Sequence, residues 1–525
     1  MIEKFIYCVY PNPRSEQHMP TSTHDFLEKR LGLFSKVVLA LAAGALMPLS
    51  LAPLDWWLLA FIAPALLALL LYSHQDKATL FALSFAFGVG VFGVGASWVF
   101  VSIHQYGNAS ILLAGFLTLL FSLGLGLVFA LPFIGLGWIK HTNKLVYLLA
   151  FTCIWVLGEW LRSWLLTGFP WLFIGYSQLS TGLVGLAPIG GIFLVSFGVL
   201  ITAVLFASVP LQLANRHKVI LLSITSVVWM TGFISTHYQW TTEQGDEISV
   251  AMIQANIAQE KKWLPEYRTP TLDTYRRLSQ AAHDNDWVIW PEAAIPILYS
   301  QANKFLMDID TFAEATDSAL LTGILYDDRV NNRYHNSAVA LGNGSGVYHK
   351  TRLVPFGEYV PLEKWLRGII GFFNLPTSII SKGDDVQPEL KMGEHKVGMA
   401  ICYEIVYPDI VAQRAKNADV LMTLSNDAWF GASWGPLQHV QMAQMRAVEN
   451  GRYLIRSTNN GVSAIIKPDG SMSATSQQFV QETLTGTVKS MTGHTWFTLT
   501  KSYPVVVLCF LILCAAKCLT FTKWS

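Results

Sequence analysis

The stretch VGMAICYEIVYPDI, residues 397–410, reads as a buried apolar strand that stops at Cys402 and turns into a helix starting around Val406. A strand feeding directly into a helix is the repeating unit of layered α/β packing, in which sheets are covered by helices. The pattern recurs on either side. ISVAMIQ (248–254), WVIW (287–290), ALLTGIL (319–325), SAVAL (337–341), KVGMAIC (396–402), DVLMTL (419–424), YLIRS (453–457) and SAIIK (463–467) read as strands, with helices at about 267–283, 302–316, 406–417 and 436–450. These elements mark a domain over residues 241–500, long enough to bury its own core.

Outward from that domain the composition changes. The chain of 525 residues is 52% hydrophobic and only 14% charged, against roughly 25% charged in an average soluble protein. Of its 36 basic and 35 acidic residues, 22 and 28 lie within 241–500, which leaves 21 charges for the other 265 residues. Neither the overall balance of +1 nor the acidic domain carries a nucleic-acid footprint. Apolar runs long enough to cross a bilayer begin with Val37 to Leu54 and Trp56 to Tyr72. From Ala78 to Ile139 there is no Asp, Glu, Lys or Arg; the polar stretch HQYGNAS (104–110) divides this run into spans at about 79–102 and 111–138. Further spans are expected at 145–161, 184–208, 219–236 and 503–521, eight in all.

The chain thus divides into a cytoplasmic N-terminal extension (1–35), a membrane domain of seven spans (36–240), an extracytoplasmic domain (241–500), and an eighth span with a short tail (501–525). Lys77, Lys140, Lys144, Arg216 and Lys218 fall in the loops that become cytoplasmic if the N-terminus is inside, and only Arg162 falls outside. That orientation puts 241–500 outside the cytoplasm and returns Lys517 and Lys523 to the inside. The first span is expected to be retained rather than cleaved as a signal peptide. Most of these helices need be no more than an anchor. The exceptions are Glu159 and Arg162, three apart on one helix face where an ionisable pair must face protein or water, and the aromatic, Gly/Pro-broken SWLLTGFPWLFIGYSQLS (163–180), expected to be an interfacial loop on the domain's side of the membrane.

Cys402 is the sole cysteine of the domain, with no disulfide partner there. It is either a small core hydrophobe or a nucleophile, and a position at a helix N-terminus would favour thiolate. A thiolate nucleophile needs a base and a group to hold an oxyanion. Glu292, in WVIWPEAA, is an acid at an apolar strand end whose pKa is expected to be raised. Lys350, in VYHKTRLVPFGEYVP, is a cation after another strand. No metal-ligand spacing or phosphate loop is present, so neither a metal nor any other cofactor is expected.

An acid in WPE, a lysine in YHK and a cysteine in CYE, in that order, resemble the acid–lysine–cysteine triad of the nitrilase superfamily. The resemblance extends over nearly the whole chain to the bacterial apolipoprotein N-acyltransferases. It includes eight spans, the loop LTGFPWLFIGYSQ (166–178), QANIAQEKKW (254–263), WPEAA (290–294), YHKTRLVPFGEYVP (348–361), ICYEI (401–405), SNDAWFG (425–431) and the stretch from His439 through Arg446, Glu449 and Arg452. Ala293 stands where that family often has Thr or Ser.

The resemblance implies a polytopic membrane domain joined to an α-β-β-α sandwich. It implies Glu292 as general base, Lys350 as the group polarising the tetrahedral intermediate, Cys402 as nucleophile and Glu358 as a supporting acid that orients Lys350. Tyr403, Glu404 and Trp263 match further positions that the family needs for activity. The implied reaction moves an acyl chain from a membrane phospholipid, through a Cys402 thioester, to the α-amine of a diacylglyceryl-cysteine on an apolipoprotein. It would take place in the bacterial inner membrane, with the catalytic domain on the periplasmic side and a monomer favoured. On the residues alone two other readings stay open: a membrane-tethered amidase or nitrilase with a soluble substrate, and a transporter or receptor with an inactive binding domain. The apolar stretch VPLEKWLRGIIGFFNLPTSII (360–380) is expected to be a lid that admits acyl chains or a helix packed into the core.

Overall fold

A computed structural model describes residues 31–139, 143–359 and 380–521. The extension over 1–30, the charges Lys140 and Lys523, and all but the last residue of the expected lid lie outside the described residues.

Every expected span is helical. Among the described residues six helical stretches are long and apolar enough to cross a membrane: Leu33–Ser50, Lys77–Gly95, Ile111–Trp138, Lys144–Arg162, Gly182–Ser208 and Asn215–Thr236. The other two expected spans appear as the shorter apolar helices Leu59–Tyr72 and Tyr503–Leu519. Leu59–Tyr72 has 14 residues, about 21 Å at the usual rise, short of a hydrocarbon layer roughly 30 Å thick. The span expected over 79–102 ends early, at Gly95, and continues as the short turn Trp98–Val101 and a wide turn over Ser102–Tyr106. Tertiary contact overrides hydropathy there, because Ser102 Oγ donates to the Trp429 carbonyl of the α/β domain at 2.7 Å. Helices Leu33–Leu46 and Lys77–Gly95 meet through glycine. A Cβ on Gly44 would strike the Phe87 carbonyl and one on Gly90 the Leu41 carbonyl, so the small residues permit backbone-to-backbone packing.

Among the described residues the α/β domain has two seven-stranded sheets. One runs Glu482–Thr492, Thr242–Gln254, Trp287–Ile289, Ala319–Asp328, Arg333–Gly342, Val347–His349, with Ile295–Leu298 paired to Ala319–Asp328. The other runs Met472–Thr475, Ala464–Ile466, Leu454–Thr458, Val420–Ser425, His395–Ile401, Leu390–Met392, Gly344–Ser345. Strand alternation sorts the layers. Val250 and Met252 face Met399, Met422 and Ile455 between the sheets, whereas Ala251 and Ile253 face Tyr275, Phe305 and Ile309 of the helices Arg268–Gln280 and Asn303–Ala315. The outer face of the second sheet, with Ala400, Leu421 and Leu454, packs on Val411 and Met445, and this core is continuous with that of the membrane helices.

Helix Gly435–Asn450 is therefore covered on both sides, and nearly all of it is buried. Its polar residues bridge the two regions. Gln438 Nε2 donates to Gly95 O at 3.2 Å, Gln441 Nε2 to Asp55 Oδ1 at 2.9 Å, and Glu449 Oε1 accepts from Ile192 N at 2.8 Å. The expected interfacial loop divides in two: Trp164, Leu166 and Thr167 are exposed, whereas Pro170 through Gln178 form a buried platform. Glu159 and Arg162 face protein, Glu159 accepting from Trp155 Nε1 and Ile174 N, and Arg162 donating to the carbonyls of Phe169 and Trp171.

All eight expected strands form. The long strand Glu482–Thr492 escaped notice because ETLTGTV is rich in Thr and Gly and poor in apolar residues; it pairs antiparallel with Thr242–Gln254. The helix expected from Val406 starts instead at Pro408, after a tight turn over Cys402–Val406. Proline suits a first helical turn, where its missing N–H has no partner to lose.

Candidate active site

The three candidate catalytic residues follow strands of both sheets, two in the first and one in the second. Glu292 follows Trp287–Ile289, Lys350 follows Val347–His349 and Cys402 follows His395–Ile401. Glu292 Oε1 accepts from Lys350 Nζ at 3.2 Å and from Asn336 Nδ2 at 2.7 Å, and Oε2 accepts from Asn426 N at 2.9 Å. Lys350 also donates to Glu358 at 3.0 Å, and Asn336 Nδ2 reaches Glu358 at 2.8 Å. Glu358 is buried and joined to Lys350.

Burial would raise the Glu292 carboxyl, yet the Lys350 ammonium, Asn336 and Lys262 outweigh it and hold the group below the usual carboxylate range. This reverses the expected raised pKa: the apolar strand end is real, but it is populated by donors. Burial would likewise lower Lys350, and Glu292 with Glu358 keeps its ammonium charged, well above the ordinary value.

Cys402 is partly exposed and adopts φ 52°, a left-handed backbone rare for a side chain of this kind. Burial of its sulfur and the Glu292 carboxylate push the thiol up to about 12, against the pull of Lys350. The helix N-terminus expected to favour thiolate is displaced to Pro408, so its dipole does not act on the sulfur within the first turn. The resting pair is thus a carboxylate and a neutral thiol, with a thiolate fraction near pH 7 on the order of 10⁻⁵. Iodoacetamide labelling of Cys402, read by peptide mass, is expected to climb about tenfold per pH unit from 7 to 10; a plateau below pH 8 would show a preformed thiolate.

Glu404 is a buried clamp. Oε1 accepts from Thr351 N at 2.7 Å, Thr351 Oγ1 at 2.6 Å and Tyr348 Oη at 2.9 Å, while Oε2 accepts from Ile401 N at 2.8 Å. It thereby ties the loop after Lys350 to the residue before Cys402. Tyr403 Oη donates to Gly168 O at 3.1 Å and Tyr407 Oη to Thr167 O at 2.9 Å, docking the cysteine turn on the membrane-domain loop. Trp263 is half-buried and follows Lys262, whose Nζ donates to Glu292 O at 3.1 Å and which burial draws down to about 8.

The sequence alone assigned no role to Asn336, Lys262 or Asn426, which hold Glu292. A signal existed in two places: Asn336 directly precedes the apolar run SAVAL (337–341), and SND (425–427) is a polar run closing DVLMTL. Among the described residues no group of three or more His, Cys, Asp or Glu side chains is arranged to hold a metal.

Comparison with known proteins gives the class first. Residues 249–496 match the family model for carbon-nitrogen hydrolases, so the α/β domain is a carbon-nitrogen hydrolase domain of the nitrilase superfamily. Residues 43–205 match the N-terminal domain of apolipoprotein N-acyltransferase. Apolipoprotein N-acyltransferase of Azotobacter vinelandii is 45% identical over 484 residues, covering 91% of this chain and 93% of that protein. That of Pseudomonas aeruginosa strain LESB58 is 44% identical over 487 residues, covering 91% and 94%. The chain belongs to the apolipoprotein N-acyltransferase family. Among solved structures it is similar to Saccharomyces cerevisiae Nit3, a member of branch 10 of the nitrilase superfamily, at 17% identity and a TM-score of 0.36 over 48% of this chain and 92% of that one.

Proposed function

We propose that this protein moves an acyl chain from a membrane phospholipid onto Cys402 as a thioester, and from there to the free α-amine of an S-diacylglyceryl-cysteine at the N-terminus of an apolipoprotein. The observation that carries the reading is the meeting of Glu292, Lys350 and Glu358 in one buried hydrogen-bonded cluster beside Cys402, in a domain that shares a core with apolar helices.

In the first half-reaction Cys402 Sγ attacks the ester carbonyl as its proton passes to the Glu292 carboxylate. The oxyanion that forms is stabilised by the Lys350 ammonium; collapse breaks the C–O bond, and Glu292 returns the proton to the departing lysophospholipid oxygen. In the second, the acceptor amine attacks the thioester carbonyl, gives its proton to Glu292, and the thiolate leaves beside Lys350 and is reprotonated. No cofactor enters either step. Glu358 orients Lys350, Glu404 and Tyr403 set the cysteine turn, and Trp263 lines the approach beside Glu292.

Both substrates are lipids, so holding the site at the bilayer substitutes proximity for diffusion through water. The topology that serves this is eight crossings, with 36–240 and 501–525 in the bacterial inner membrane, 1–35 cytoplasmic and 241–500 periplasmic, in a monomeric enzyme. Intact mass spectrometry after mixing with phospholipid tests the reading. An added acyl mass is expected, removed by hydroxylamine and missing in Cys402→Ala; an enzyme that releases lysophospholipid while never carrying the acyl group would overturn it.

A further inference from the structure

The nucleophile's own carbonyl is held by a residue that the reaction above does not use. His439, on helix Gly435–Asn450, is buried, and its Nε2 lies 3.2 Å from Cys402 O. The carbonyl is an acceptor, so Nε2 carries the proton and the neutral ring offers Nδ1 as an acceptor. Nδ1 lies 3.1 Å from Arg456 NH2, which supplies the donor, and 3.1 Å from Asp427 Oδ1. Asp427 Oδ2 accepts from Arg456 NH2 at 2.5 Å, and Asp427 Oδ1 accepts from Ser425 Oγ at 2.8 Å. Burial and the neighbouring Arg456 lower His439 and keep it uncharged. Nε2–H thus donates to the cysteine carbonyl, while Arg456 and Asp427 hold the opposite edge of the ring.

The other face of the same ring meets the membrane domain. Trp171 lies 5.5 Å from it, centroid to centroid, tilted by 35°. Trp171 Nε1 donates to Gln438 Oε1 at 2.7 Å, one residue before His439, and the Trp171 carbonyl is held by Arg162 at the end of helix Lys144–Arg162. An unbroken series of contacts thus runs from a membrane helix through Trp171 and His439 to the peptide of Cys402. That peptide sits at a strained φ of 52°, a conformation that persists only where its surroundings impose it.

We infer that His439 is the positioning residue through which the membrane-domain loop holds Cys402 in attack geometry, so that seating of the α/β domain on Trp171 is part of what makes the sulfur competent. The inference rests on Cys402 being the nucleophile proposed above. A displacement of about 1 Å in a reacting atom costs on the order of 10²-fold in rate. A role confined to packing would instead lower stability and leave the rate of the folded fraction alone.

The test uses the full-length enzyme in detergent, with single-turnover acylation by phosphatidylethanolamine in mixed micelles read by intact mass. His439→Leu is expected to slow acylation about 10- to 100-fold with the half-saturating phospholipid unchanged. His439→Gln, whose side-chain amide reaches the same carbonyl, is expected to stay within about threefold of wild type. Trp171→Leu should slow acylation by about the same factor as His439→Leu, and the double variant no further, since both break one series of contacts. Wild-type speed in folded His439→Leu, a Gln variant as slow as the Leu variant, or multiplicative losses in the double variant would each overturn the inference. If His439→Leu does not fold, slow Trp171→Leu beside fast His439→Gln still supports it, and any other pairing of those two rates overturns it. A wild-type enzyme that never carries acyl on Cys402 would instead defeat the proposed function. Iodoacetamide labelling of Cys402, slowed or not by His439→Leu, then decides the positioning role alone.

Discussion

Glu292→Gln is expected to form no measurable acyl-enzyme on the timescale in which wild type is fully acylated, a loss of about 10²–10⁴-fold. The size follows from the protonation states. With the Cys402 thiol pushed up to about 12 by burial and the adjacent carboxylate, waiting for spontaneous thiolate is slow, and attack requires that the proton leave as the S–C bond forms. Glu292 is suited to take it, because the Lys350 ammonium and Asn336 keep it ionised at neutral pH despite its burial. The amide of Gln retains an oxygen for Lys350 and Asn336, so the cluster keeps most of its hydrogen bonds, but it accepts no proton. Removing the charge also removes one of the two causes that raise the thiol, while the larger one, burial, remains. Iodoacetamide labelling of Cys402 in Glu292→Gln is therefore expected to be no slower than in wild type, even as acylation fails. Normal acylation in this variant would mean that the base lies elsewhere; slow labelling together with slow acylation would mean that the substitution had displaced the cysteine.

Order along the chain brought out the candidate triad, because each member follows a strand whose period is legible: WVIW before Glu292, GVYH before Lys350 and GMAI before Cys402. The electrostatics were not legible, since they depend on which side chains converge from distant segments. Glu292 reads as an isolated acid in an apolar context, yet Lys350, Asn336 and Asn426 arrive from 58, 44 and 134 residues away. Helix Gly435–Asn450 illustrates a second limit. Its sequence, GPLQHVQMAQMRAVEN, has the polar content of a surface helix, but the chain covers both of its faces and satisfies Gln438, His439, Arg446 and Glu449 internally. Periodicity reports how much of a helix is apolar; it does not report what a second domain lays over the polar side. The early end of the helix at Gly95 has the same cause, a contact from Trp429 that no local pattern announces.

Lys350→Met should cost both reaction and fold, and the pH dependence of the loss separates this cluster from a simple deletion of charge. In the wild type the ammonium lies 3.2 Å from Glu292 and 3.0 Å from Glu358, with 1% of its side chain exposed. Methionine leaves two buried carboxylates sharing one Asn336 amide, and stripping a partner from a buried ion pair costs about 3–5 kcal/mol. Lys262 is a weak substitute: its own ammonium is drawn down to about 8 by burial and is spent on the Glu292 backbone carbonyl. The sign of the pH effect follows from Glu292. In the wild type its folded pKa is depressed, so its contribution to stability is present above the unfolded value near 4.3 and is lost as pH falls through the folded one. Without Lys350 burial takes over and the folded pKa rises above the unfolded value. The folded variant then binds the proton more readily than the unfolded chain does, and its stability increases as pH drops from neutral towards 5. The gap in thermal midpoint between wild type and Lys350→Met, measured in detergent across pH 5–8, should accordingly be widest at pH 8 and narrow towards pH 5. Acylation should be lost throughout, since the oxyanion loses its cation, a further loss of about 10²–10³-fold. A gap that stays constant or widens on acidification would mean that the two carboxylates do not depend on this lysine, and the proposed triad would lose its central member.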